Sequence, residues 1–160
     1  MRILKFKYIV LLLIAIPFLG ACNNEDDIRA IFVGKSWHLS NFYTTNDWKD
    51  SNAGKPVYRP GSEGLIAINK PENKDKLIIN FQETTFTGKG LDSEFSGTWT
   101  ADGKKNTLNM TITKGGNSSD KISADFINGI KTVAFYRGDI NELRIFPESK
   151  KSYMLFYIQK

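Results

Sequence analysis

Residues able to do chemistry are few in this sequence, and their spacing excludes more than it offers. His38 is the sole histidine among 160 residues and Cys22 the sole cysteine. Metal sites that need two or more imidazoles are out of reach, and no disulfide can form within the chain. A serine nucleophile would have to borrow His38 as its base, but no Gly-x-Ser-x-Gly elbow exists to present one. His38 falls mid-strand on the polar side of an alternating segment, which predicts a solvent-facing side chain. Gly34-Lys35-Ser36 has the ending of a phosphate-binding loop. Arg29 stands where the loop's first glycine belongs, however, and a strand follows in place of a helix. Gly88-Lys89-Gly90 is a bare turn, with Ser93 where a dinucleotide fingerprint needs its next glycine. Two carboxyl pairs remain, Asp92 with Glu94 and Asp139 with Glu142, each near the start of a strand. Two such groups at the right separation can hydrolyse a glycoside. Charged residues at strand ends are ordinarily solvated, and a small barrel filled by its own side chains leaves little room for a cleft. The expectation is a protein that is not an enzyme and holds no metal or cofactor.

Residues 44–64 offer a different kind of chemistry. They have no hydrophobic period, with mostly Asn, Asp, Gly, Pro and Ser around Trp48, Val57, Tyr58 and Arg59. An aperiodic stretch of this length inside a compact domain is either functional or hides an element of its own. Two rigid aromatics beside a guanidinium are the composition of a recognition surface, which makes Trp48, Tyr58 and Arg59 the candidate partner-binding residues. The competing reading folds Trp48 and Tyr58 back as a lid over a barrel end. It is the favoured one, because exposed aromatics are costly unless a partner covers them.

The elements that must position these residues are mostly strands. Residues 36–43 alternate, with Trp37, Leu39 and Tyr43 on one side and Ser36, His38 and Ser40 on the other. Further strands are predicted over residues 65–69, 77–81, 84–88, 94–100, 107–113, 132–137, 142–146 and 152–158. The pattern changes once: Ile122, Phe126, Ile127 and Ile130 are spaced for a helix face capped by Ser119 or Asp120, and Asn128-Gly129 predicts an early end. About eight or nine short strands with one short helix near residues 120–130 mean an all-β fold, a small antiparallel barrel or a sandwich. Its core is expected to be Trp37, Leu39, Phe81, Trp99, Leu108, Phe126, Leu143 and Phe156.

The N-terminus says where such a domain would work. Arg2, Lys5 and Lys7 form a charged head, residues 8–19 an apolar run of twelve with Pro17 inside it, and Leu19-Gly20-Ala21-Cys22 a small-residue close. This is the plan of a secretory signal; a spanning helix needs ~20 residues. Residues 1–21 are therefore expected to be a cleaved signal peptide, 22–35 a tether and short lead-in helix, and 36–160 a single barrel domain. Removal of the leader leaves 19 Lys+Arg against 17 Asp+Glu, a net charge of +2, which is no footprint of a nucleic-acid binder. Leu19 to Cys22 resemble the lipobox of bacterial lipoproteins, which implies a diacylglyceryl anchor on Cys22. Glu25-Asp26-Asp27 behind Asn23 and Asn24 resembles, in part, the acidic run that sends lipoproteins of Bacteroides-type bacteria to the outer leaflet. The same acids can also start a short helix, since Asp26 or Asp27 can cap it and Ile28, Ile31 and Phe32 share a face.

Gly34-Lys35-Ser36-Trp37 is similar to the Gly-x-Trp that opens lipocalins, one residue longer. Phe86-Thr87-Gly88, Gly97-Thr98-Trp99, the Leu108/Met110/Ile112 strand, the helix with Phe126 and Ile130, then Leu143, Met154 and Phe156 follow the order of META-type barrels. The chain thus resembles lipocalin-like and META-type barrel lipoproteins of unknown function. It lacks the Cys-Asn and Thr-x-x-Cys elements of many META domains. The resemblance implies an outer-membrane lipoprotein of the cell envelope that binds an envelope protein or a small apolar ligand through loops at one barrel end. A protease inhibitor is the alternative within binding, and a carboxylate-dependent hydrolase the alternative outside it.

Overall fold

The structure is a computed structural model that describes residues 27–159; the signal segment and Cys22 lie outside the described residues. Helix α1 (Ile28–Phe32) leads in, capped by Asp27, whose carboxylate accepts the Ala30 amide at 3.1 Å. Strand β1 (Ser36–Thr44) is followed by a short β2 (Lys55–Pro56) and helix α2 (Glu63–Asn69). Then come β3 (Ile78–Phe81), β4 (Thr85–Lys89), β5 (Glu94–Asp102) and β6 (Thr107–Gly115). Helix α3 (Lys121–Lys131) precedes β7 (Val133–Gly138), β8 (Glu142–Pro147) and β9 (Ser152–Ile158). All pairings are antiparallel, in the order β2-β1-β3-β4-β5-β6-β7-β8-β9, and β1 also pairs with β9 along Trp37↔Ile158 to Thr44↔Ser152. That last pairing closes eight strands into a barrel and leaves β2 as one extra strand. The expected all-β barrel is the fold.

Eight strands enclose a space that side chains alone can fill, and here they do. Every residue of the expected core is between 0 and 6 % exposed. Each end of the barrel is stopped by a helix. At one end α1 inserts Phe32, whose ring lies 5.0–5.1 Å from those of Phe81, Trp99 and Tyr136. At the other, Phe126 of α3 packs against Phe95 at 5.7 Å and Phe156 at 6.1 Å. The route of the chain fixes what each end carries. The turns β3–β4, β5–β6 and β7–β8 lie beside α1; the segment after β1, the turns β4–β5 and β8–β9, and α3 lie at the opposite end. Because α3 is inserted between β6 and β7, those strands share only the pair Thr107↔Phe135.

Four expectations are corrected. Residues 65–69 are helix α2, not a strand: Ser62 accepts the Leu65 amide as its N-cap, and only Ile68 is buried, so the run needs one face and not two. Asn128-Gly129 does not end α3 early. Gly129 instead lets the helix press on β9, where a Cβ would come within 2.3 Å of Met154 Cε. The third concerns β1, where a bulge between Leu39 and Asn41 reverses the alternation. Phe42 therefore packs on the interior core, while Tyr43 turns outward and stacks on Tyr153 at 4.8 Å. Lastly, His38 is not solvent-facing; it is half-buried beside Ile68, Asn69 and Lys70 at the end of α2.

Truncating a large buried aromatic to alanine costs about 3–5 kcal/mol. Phe126→Ala and Trp99→Ala are therefore expected to lower the denaturation midpoint sharply. The second also loses the indole hydrogen bond to the Gln82 carbonyl at 2.9 Å. Midpoints equal to the parent's in chemical denaturation would show that these rings do not carry the fold.

Candidate functional site

The stretch between β1 and α2 is held to the barrel by one buried amide. Asn41, 5 % exposed, faces outward because of the β1 bulge. Its Nδ2 donates to the Tyr58 carbonyl at 2.8 Å, and its Oδ1 accepts the amides of Phe42 at 2.8 Å and Tyr58 at 3.3 Å. A buried amide with all these groups satisfied specifies one arrangement of the segment. Val57 donates its amide to the Phe42 carbonyl at 2.7 Å, and β2 pairs with Tyr43 and Thr44.

The three candidate residues go to different places. Trp48 folds onto the outer wall of β7 and β8, 5.7 Å from the Phe135 ring and 5.8 Å from that of Phe146. Lys150 Nζ stands 4.1 Å from its centroid and Arg137 Cζ 5.6 Å, so two cations lie against the indole as well. Trp48 helps cover a second, outward cluster of Phe146, Tyr153 and Leu155, and it is α3 that stops the barrel end. Tyr58 lies edge-on to Phe42 at 5.9 Å and against Gly64, where a Cβ would come within 2.4 Å of its ring. Burial raises its hydroxyl pKa, and Asp125 on α3 adds to the effect. Arg59 is exposed.

Tyr58 forms one wall of a half-open cleft of about 260 Å³ at the α3 end of the barrel. Phe42 and Val57 continue that wall, Asp125 and Gly129 of α3 face it, and Met154 of β9 lines the cleft as well. The lining is mainly apolar, and Val57 on the rim is 52 % exposed. Its volume falls just below the ~300–1,000 Å³ of ligand pockets, close to what one large apolar side chain occupies. Sequence reasoning missed Asp125, Gly129 and Met154 as neighbours of Tyr58. Their only common signal is Gly129, a small residue on a helix face otherwise built from isoleucine and phenylalanine.

Three of the four candidate carboxylates have structural work, and Glu94 makes an exposed ion pair with Lys89 at 3.5 Å. Asp92 accepts the Ser118 hydroxyl, the Ser119 amide and hydroxyl at 3.1 Å each, and the Asp120 amide at 3.2 Å. It ties the β4–β5 turn to the start of α3. These donors, Ser118 foremost, hold its pKa down at about 2. Asp139 Oδ1 accepts the amides of Asn141 and Glu142 at 2.7 and 3.1 Å, and Glu142 pairs with Arg144 at 2.5 Å. Burial lowers the pKa of His38, and a backbone hydrogen bond at Asn73 works against that. Among the described residues no group of three or more His, Cys, Asp or Glu could hold a metal ion.

A carboxylate with a depressed folded pKa contributes stability that is present above its ordinary value of about 3.9 and is lost as pH falls through about 2. Asp92→Asn should therefore lower the melting temperature at pH 7, by a difference that shrinks between pH 4 and pH 2. Melting curves of both proteins across that range check it; a gap that does not change with pH would remove the charge from the account.

No curated protein matches the chain. A crystal structure of a DUF4847 family protein from Bacteroides vulgatus is similar to it, at 34 % identity and a TM-score of 0.65, over 81 % of this chain and 96 % of that one. The model of that family, described as a domain of unknown function, matches residues 23–158. By that match, which takes in the whole barrel, the chain belongs to the DUF4847 family.

Proposed function

We propose that this chain is a non-enzymatic, lipid-anchored protein of the outer membrane that binds another envelope protein through the loops at the α3 end of its barrel. The observation that carries the binding half is the cleft beside Tyr58. The barrel interior is filled from α1 to α3, so a small apolar ligand has no lumen to enter as it would in an open barrel. The cleft is a concave, mainly apolar feature at the loop end. It is sized for a single anchoring side chain, and Val57 leaves apolar surface on its rim. The non-enzymatic half is supported by the work already done by Asp92, Asp139 and Glu142, which takes the carboxylate hydrolase reading out of favour. The lipid anchor is supported by the leader and lipobox-like Leu19 to Cys22, and by a family match that begins at residue 23. Two acyl chains give stable anchoring where one is marginal.

A photo-crosslinking residue at Val57, in the full chain in its native envelope, tests the binding half. Ile66 on α2, equally apolar and 51 % exposed, is the control position. The expected result is a discrete adduct from position 57 and none from position 66. Tyr58→Ala should weaken the adduct by the equivalent of ~1–2 kcal/mol. Equal adducts from both positions would end the reading. Mass spectrometry of the N-terminal peptide tests the anchor, with diacylglyceryl on Cys22 expected and an unmodified Cys22 refuting it.

A further inference from the structure

We infer that the α1 end of the barrel faces the bilayer, with Ile140 at the tip of the β7–β8 turn as its apolar contact with the lipid interface. The inference rests on the proposed anchor at Cys22 and adds to it an orientation and a contacting residue.

The first ground is where the chain enters the fold. Five residues, Asn23 to Asp27, separate Cys22 from the start of α1. The six steps from Cys22 to Ile28, at no more than ~3.6 Å each, reach at most about 22 Å. Helix α1 is fastened to the end it stops: Phe32 is fully buried there, the Gly34 amide donates to the Phe81 carbonyl at 2.9 Å, and Arg29 pairs with Glu83 of the β3–β4 turn through Nη2 at 2.6 Å. A lipid on Cys22 therefore holds this end, and the three turns beside it, close to the headgroups. The opposite end, with the cleft, is carried outward by the length of the strands.

The second ground is what those turns present. Ile140 is 51 % exposed. One exposed isoleucine is ordinary by itself, but this one is held outward. Asp139 Oδ1 binds the amides of Asn141 and Glu142, and the Asp139 amide donates to the Glu142 carbonyl at 2.9 Å, which fixes the turn with Ile140 at its tip. The charges at this end are balanced. Lys104 and Lys105 are exposed in the β5–β6 turn; Asp102 accepts both of their amides and also pairs with Lys105 at 3.9 Å. Arg29 and Glu83 cancel, and Asp139 of the β7–β8 turn offsets the remaining lysine. A surface with no net excess of either sign fits neutral as well as anionic headgroups, which makes the contact apolar in origin and insensitive to salt.

Acylation of Cys22 consumes the sole thiol, so an introduced cysteine can be labelled uniquely. Full-length lipoprotein carrying Ile140→Cys or Glu148→Cys, the latter in the β8–β9 turn at the far end, is labelled with an environment-sensitive fluorophore. It is then reconstituted in phosphatidylcholine vesicles with and without headgroup spin-labelled lipid. The expected result is quenching at position 140 several-fold stronger than at position 148, unchanged by added salt. Equal quenching, or stronger quenching at 148, with Cys22 acylated by mass spectrometry, overturns the orientation alone. Absence of the acyl group overturns the anchor and this inference together. Ile140→Glu added to a labelled Lys105→Cys variant, a pair that should melt with the parent, is expected to weaken quenching at position 105 in the neighbouring β5–β6 turn; unchanged quenching would remove Ile140 as the contact.

Discussion

Closing eight antiparallel strands on themselves leaves two openings through which water reaches an apolar interior. The rest of this structure follows from how those openings are stopped. Phe32 fills one from a five-residue helix and Phe126 the other from a helix of eleven residues. Neither helix would hold its shape alone, since helices this short are marginal in water. Each is stabilised by the rings it buries and by a capping aspartate, Asp27 for α1 and Asp120 for α3, the latter accepting the Ser123 amide at 2.7 Å. Asp92 then locks the start of α3 to the neighbouring turn. Helix and strand depend on each other, so the interior is a core and not a container.

That division shapes the second, smaller apolar cluster. Strand β9 is apolar on both faces: Met154 and Phe156 point inward, while Tyr153 and Leu155 need cover on the outer wall. The long segment after β1 supplies it through Trp48, beneath Lys150 and Arg137. What read as an anchor of recognition by composition is, at Trp48, largely engaged with its own protein. Tyr58 remains beside open space, because α3 stops at a distance set by Gly129 and Met154.

The strands from β3 to β9 and the helix α3 were legible because each obeys one period, two or 3.6, with turn residues between. The core was legible for the same reason: one residue per period decides which face is inside. Residues 65–69 were not, since Leu65-Ile66-Ala67-Ile68-Asn69 fits either period and the deciding signal, Ser62, lies outside the run. The bulge in β1 was invisible because what it accompanies is three-dimensional, the bond from Asn41 to the carbonyl of Tyr58, distant in the chain. His38 followed from that same local view, which cannot see a helix from residues 63–69 laid beside it. For the candidate site, Tyr58 was within reach of composition, whereas Asp125 and Met154 are brought to it by closure of the barrel and have no local mark.

The pairing of β1 with β9 joins the first strand of the domain to the last. Until residue 158 is in place, β1 and β8 are both bare edges, and bare edges pair with whatever strand they meet. The fold therefore carries its own test of completeness. A chain cut short near its C-terminus does not lose one strand out of nine; it loses the clasp, and with it any advantage over aggregation. Long-range closure of this kind is also slow relative to local hairpins, so a growing chain stays open until its final segment arrives.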